Sequence, residues 1–133
     1  MCNSSVLFQN HQDKGLTWLP WIGEQYSSEP KKLLVLGESH YCYGSNSPEG
    51  IESDEKETIA VVGEYAANSS AGNQYKTYGK IDEVLCGTFF PGASRQEIWS
   101  RIAFMNIVQK CMGSNQARPD GNFSWQAGKR FFM

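Results

Sequence analysis

The apolar positions of this chain fall into two kinds of run. In Lys31-Lys32-Leu33-Leu34-Val35-Leu36-Gly37-Glu38-Ser39-His40-Tyr41, an unbroken aliphatic stretch stops at glycine and gives way to polar, proton-handling groups. A run without polar alternation predicts a strand at 32–36 buried on both faces, as in a parallel sheet flanked by helices. Ile102-Ala103-Phe104-Met105-Asn106-Ile107-Val108 predicts a second such strand, interrupted near its carboxyl end by Asn106. Between them the spacing turns helical. Asp54 to Ala67 reads as a helix with Asp54 and Glu57 at a capping-box-like start and Ile59, Val62 and Ala66 on one face. A shorter helix runs from about Thr77 to Cys86, with Ile81, Val84 and Leu85 apolar and Gly87 as terminator. Ser94-Arg95-Gln96-Glu97 is a capping box opening a short helix that contains Trp99, and Ser124 caps a last helix bearing Trp125, Phe131 and Phe132.

The remaining segments are punctuated. Leu16-Thr17-Trp18-Leu19-Pro20-Trp21-Ile22-Gly23 is apolar but broken by proline and glycine, which predicts an irregular segment packed on the core. Residues 1–15 read as a polar lead-in, and 69–73 and 111–122 as loops. Cys42 to Ser53, rich in Gly, Ser, Asn and Pro, reads as a loop able to close over a site.

Composition narrows the class. The 133 residues suit one domain, 1–133, large enough to bury a core unaided. The 13% aromatic content exceeds what a minimal core needs, so the rings either fill that core or line a pocket. No apolar run approaches the ~20 residues of a membrane span, and the first residues lack the basic and apolar regions of a secretion signal. Cys2, Cys42, Cys86 and Cys111 are scattered without a Cys-x-x-Cys pair, which argues against a zinc ribbon and for a reduced, cytoplasmic protein. The three Asn-x-Ser matches at Asn3, Asn68 and Asn122 are then chance. No metal, cofactor or membrane partner is expected. The net charge of −2 hides an asymmetry: from Ser94 onward there are six basic residues against two acids. That end either faces phosphates or forms ordinary solvated surface.

Ligands of open α/β sheets gather outside the carboxyl ends of the strands, so chemistry is expected at Gly37 to Tyr41 and at Asn106. Several arrangements fit these residue types. Glu38 and His40 can hydrogen-bond loop backbone at the strand end. Ser39 and His40 suggest a nucleophile and base, yet neighbours on a strand end point apart and no Gly-x-Ser-x-Gly elbow is present. A metal site from Glu38, His40 and Cys42 lacks a fourth ligand, since His11 is the only other histidine. Asn106 is either satisfied by neighbouring backbone or aimed at a ligand.

Taken together, Leu36-Gly37-Glu38, Tyr41, the strand Phe104-Met105-Asn106-Ile107-Val108-Gln109 and the later Arg118-Pro119 resemble the uracil-DNA glycosylase superfamily. Trp18-Leu19-Pro20-Trp21-Ile22-Gly23 is similar to the lead-in of bacterial members of that group. In the family the first strand ends in Gly-Gln-Asp-Pro-Tyr or Gly-Glu-Ala-Pro-Gly, which positions the attacking water, and a later strand carries an asparagine that reads the uracil edge. The resemblance implies a three-layer α/β/α fold with a small, mainly parallel sheet. For such a task residue chemistry makes Glu38 and His40 the catalytic candidates, Glu38 holding or deprotonating water and His40 supplying a proton or stabilising negative charge. The resemblance gives Gly37, Ser39, Tyr41 and Asn106 to base binding, and Arg118 to phosphate. Ser39 stands where one version of the motif has its catalytic aspartate, and His40 where it has proline. The family continues beyond its last helix with further strands and a histidine-bearing loop, so this chain is expected to be a C-terminally incomplete member. Two functions follow: recognition of a nucleobase, free or in single-stranded or damaged DNA, with or without N-glycosidic hydrolysis, or a non-catalytic interaction protein that self-associates through an incomplete sheet edge.

Overall fold

The computed structural model describes residues 16–40, 55–68 and 75–109. Its centre is a mixed three-stranded sheet in the order β1-β3-β2, with β1 at Trp21–Ile22, β2 at Leu34–Gly37 and β3 at Ala103–Asn106. β2 runs parallel to β3, pairing Val35 with Phe104 and Gly37 with Asn106. β1 runs antiparallel to β3, pairing Trp21 with Phe104. Trp21, Val35 and Phe104 therefore share one face, because side chains alternate along a strand.

Three helices pack on that face: α1 at Glu57–Ala67, α2 at Lys76–Thr88 and α3 at Arg95–Arg101. Val62 and Tyr65 of α1, Tyr78 and Leu85 of α2, and Ile98 and Trp99 of α3 form one buried cluster with Phe104. Aromatic edges organise it, with Trp99 set T-shaped against Tyr65 and Tyr78. Asp82 accepts hydrogen bonds from the Trp99 indole at 2.6 Å, the Arg95 Nε at 3.1 Å and the Tyr65 hydroxyl. The Arg95 guanidinium also lies 4.0 Å from the centroid of the Tyr65 ring. These partners satisfy the polar ends of rings that the core needs for their bulk.

The architecture is of the α/β class, with several local corrections. The Leu33–Leu36 run was expected to be covered on both faces, but β2 is an edge strand with β3 as its one neighbour among the described residues. Leu34 and Leu36 are accordingly 38% and 43% exposed, while Val35 packs on the helical core. Ala103 and Met105 of the central strand are buried on that same outer face. The expectation of a mainly parallel sheet gives way to a mixed one, since the short Trp21–Ile22 strand enters antiparallel. That segment was expected to be irregular, but Trp21 and Ile22 form a two-residue strand, beyond which Gly23 N–H donates to the Ile102 carbonyl at 2.9 Å. Gly23 lets it pass against α3: a Cβ there would meet the Ser100 carbonyl oxygen at 2.2 Å.

The helices also differ in detail. α1 begins at Glu57 behind Lys56, without a side-chain cap; of the expected Ile59, Val62 and Ala66 face, Val62 is buried and Ala66 packs on the core, and Thr58 and Tyr65 rather than Ile59 are buried with Val62. α2 runs through Gly87 to Thr88, leaving Val84 60% exposed because Tyr78 and Leu85 take the inner face. The capping box of α3 stands as read, with Ser94 Oγ accepting from Glu97 N–H and Glu97 bonding back to Ser94 N–H at 2.7 Å. The expected helix after Ser124, the loops at 42–53, 69–73 and 111–122, and Cys2, Cys42 and Cys111 lie outside the described residues, wholly or in large part. Among the described residues, no helix is long and apolar enough to cross a membrane.

Candidate functional site

The carboxyl ends of β2 and β3 open onto a cavity of about 370 Å³, within the size range of small-ligand pockets. Gly37, Glu38, Ser39 and His40 line it from the end of β2, and Asn106 from the end of β3. Parallel pairing continues past both strands, with Ile107 N–H donating to the Gly37 carbonyl and Val108 N–H to that of Glu38. This extension holds the two chain segments side by side where their polar residues emerge. Phe104 and Tyr78 form an apolar wall, their rings meeting edge to face with centroids 5.4 Å apart. Glu57 and Val61 of α1 complete another side.

Asn106 is the least ordinary residue here. It is 2% exposed, and its side-chain Nδ2 has no hydrogen-bond partner among the described residues. A buried amide left in that state costs about 1–3 kcal/mol. Its Oδ1 occupies the space that a side chain on Gly37 would fill, since a Cβ there would lie 2.2 Å from it and 2.7 Å from Phe104 Cζ. The glycine that ends the aliphatic run is thus the room in which the amide sits. Gln109, three residues later, shows the contrast. Its Oε1 accepts from the backbone N–H groups of Thr17 and Trp18 at 3.1 and 2.9 Å, and its Nε2 donates to the Asn106 carbonyl. One amide is spent on architecture, and its neighbour is held with a donor unused. Ser39 Oγ is the other buried polar atom without a partner among the described residues.

His40 is buried, with Nε2 2.8 Å from Thr58 Oγ1 on α1 and its ring set edge-on to Trp18. Burial lowers its pKa to about 4, so the imidazole is neutral at pH 7. The neutral ring can donate one N–H but carries no charge to stabilise an anion. Glu38 lies at the exposed side of the cavity. Burial, with Tyr75 and the Glu57 carboxylate nearby, pushes the Tyr78 phenol above its ordinary range, keeping it protonated.

Of the residues singled out from sequence, Gly37, Glu38, Ser39, His40 and Asn106 line this one cavity. Tyr41 and Arg118 fall outside the described residues. Glu57, Thr58, Tyr78 and Phe104 were not picked out as site residues. Glu57 reads as an ordinary first-turn acid and Phe104 as part of a buried strand, and Tyr78 falls outside the apolar positions named for its helix, so nothing in the local pattern marks them. Among the described residues, no three His, Cys, Asp or Glu side chains gather to hold a metal ion. No family model, curated protein or solved structure matches the chain.

Proposed function

We propose that this domain recognises a nucleobase, in the manner of a uracil-DNA glycosylase-like protein, in the cavity at the ends of β2 and β3. The observation that carries the reading is Asn106, buried with its Nδ2 unpaired at a cavity wall. An amide offers a donor and an acceptor on one plane, which matches the N3–H and carbonyl edge of uracil. The Tyr78 and Phe104 rings suit a flat ligand, and a base drawn out of the stack needs such an edge-reading, aromatic-walled hollow. In this reading Gly37 makes room for the amide, Ser39 Oγ contributes a second polar contact, and His40 fixes the strand-end loop to α1 through Thr58. Tyr41 and Arg118 are assigned to the base and to phosphate by the resemblance alone. Hydrolysis is the additional step that Glu38 would support by holding water.

The test is a calorimetric titration of the full chain with uracil and with a uracil-containing single-stranded oligonucleotide. Binding of either is expected, and Asn106→Leu, which keeps the branched shape without the hydrogen-bonding groups, should weaken it by about tenfold or more. No binding of the base at millimolar or of the strand at micromolar concentration would overturn the reading. Release of free uracil from the strand would add hydrolysis to recognition.

A further inference from the structure

We propose that this cavity takes a whole ribonucleoside, with its base at Asn106 and the neighbouring hydroxyls of its ribose on the Glu57 carboxylate. The assignment rests on the nucleobase reading and names the class of compound that the same site holds. At about 370 Å³ the cavity exceeds a single pyrimidine ring and falls in the range that encloses a drug-sized ligand. Its aromatic wall is correspondingly long. Tyr75 extends the wall beyond Phe104 and Tyr78, stacked on Tyr78 with centroids 6.0 Å apart and planes at 16°. The polar groups around it make two different demands. At the strand ends, Asn106 Nδ2 is buried without a partner among the described residues, and an amide NH₂ only donates, so the occupant must present an acceptor there. On α1, Glu57 and Val61 lie one turn apart and both line the cavity, while Thr58, Val62 and Tyr65 are buried. The 2.8 Å contact between His40 Nε2 and Thr58 Oγ1 fastens this first turn beside the end of β2. Glu57 is half-buried at the cavity, and a carboxylate only accepts, so on this side the occupant must present donors.

A ribonucleoside meets both demands. When the N3–H and O4 edge of a pyrimidine faces the amide, N1 lies across the ring, so the sugar points into the room that a base alone leaves empty. Ribose offers two adjacent hydroxyls, and acidic side chains hold ribose hydroxyls in just this way in dinucleotide-binding sites. Such hydrogen bonds are charge-assisted and roughly twice as strong as neutral ones. A 2′-deoxyribose brings one donor of the pair, and a phosphate sets negative charge against Glu57 in place of a donor. Within a polymer the 3′ oxygen is esterified, so the free nucleoside is the form that satisfies the carboxylate fully.

The test is calorimetry of the full chain with uracil, uridine, 2′-deoxyuridine and 3′-O-methyluridine. Uridine should bind the wild type about tenfold more tightly than either the deoxy or the methylated compound. In Glu57→Gln, which keeps an acceptor oxygen without the charge, that preference should fall to about threefold or less. The wild-type ratios decide the matter even where the variant does not fold. No preference for uridine over either compound in the wild type, or an equal preference in both proteins, overturns the ribose assignment and leaves base recognition standing. Uracil weakened by Glu57→Gln as much as uridine would make the carboxylate a base contact, and would overturn it as well. Failure of all four compounds to bind the wild type would remove the nucleobase reading itself.

Discussion

Asp82 and Asn106 both sit among aromatic rings, and they differ in how fully their hydrogen-bonding groups are matched. Asp82 draws the Trp99 indole, the Tyr65 hydroxyl and the Arg95 guanidinium onto one carboxylate. Asn106 is buried more deeply than Asp82 and keeps a donor unpaired. The first arrangement secures a fold, because the polar tips of Trp99 and Tyr65 each find a partner. The second sacrifices stability at a cavity, which is the usual mark of a group reserved for something outside the chain. The contrast separates the helix-side core, built for packing, from the strand ends, built around an unmet bond.

Breaking the satisfied side should have the largest effect. Asp82→Ala orphans the indole N–H of the fully buried Trp99 together with the Tyr65 hydroxyl, and is expected to lower unfolding stability by about 3 kcal/mol in urea titrations. A loss under about 1 kcal/mol would mean that the core tolerates unpaired groups as readily as the cavity does.

Acid should act next, through His40. Its folded pKa of about 4 lies below the ordinary value of 6.5, so the unfolded chain takes up the proton first as pH falls. Stability is therefore full above about pH 6.5 and declines towards about pH 4, by about 2–3 kcal/mol, then levels for this group. Urea unfolding across that window should show the decline in the wild type and a much flatter curve in His40→Gln. Glu29 and Glu97, whose pKa values are lowered by Arg101 and by the Ser94 cap, lose their contributions at lower pH in both proteins. Matching slopes would place the effect elsewhere.

The smallest change is the most discriminating. Asn106→Leu should alter unfolding stability by within about 1 kcal/mol, in either direction, because it removes an Nδ2 donor that makes no bond among the described residues. A loss of about 3 kcal/mol would show that the amide is structural after all and would close the gap between the two regions.

The strongest local signals in the sequence were those set by neighbouring residues. The Ser94–Glu97 box closes on itself within four positions, so α3 was legible without its surroundings. The Ala103–Asn106 strand, covered on both faces, shows its burial directly as an apolar run. The Leu33–Leu36 run looked identical, yet its place at the sheet edge exposes two of its leucines, and edge position is a property of the whole sheet. Tyr78 likewise belongs to a helix whose Leu85 and Ile81 pack on the core as expected while Val84 stays exposed, because tertiary packing chooses between equally apolar neighbours. In the site, the strand-end residues could be named from chain position. Glu57 and Thr58 could not, since their closeness to β2 depends on how α1 lies against it.

The contact of Gly37 with Asn106 ties together two positions distant in the chain. A methyl group at 37 would collide with the Asn106 amide and with the Phe104 ring beyond it, so neither strand can change its last residue freely. Substitutions that restyle this hollow for a different guest must alter both strands in concert, and an engineer reshaping its specificity would do well to vary Gly37, Phe104 and Asn106 as one unit.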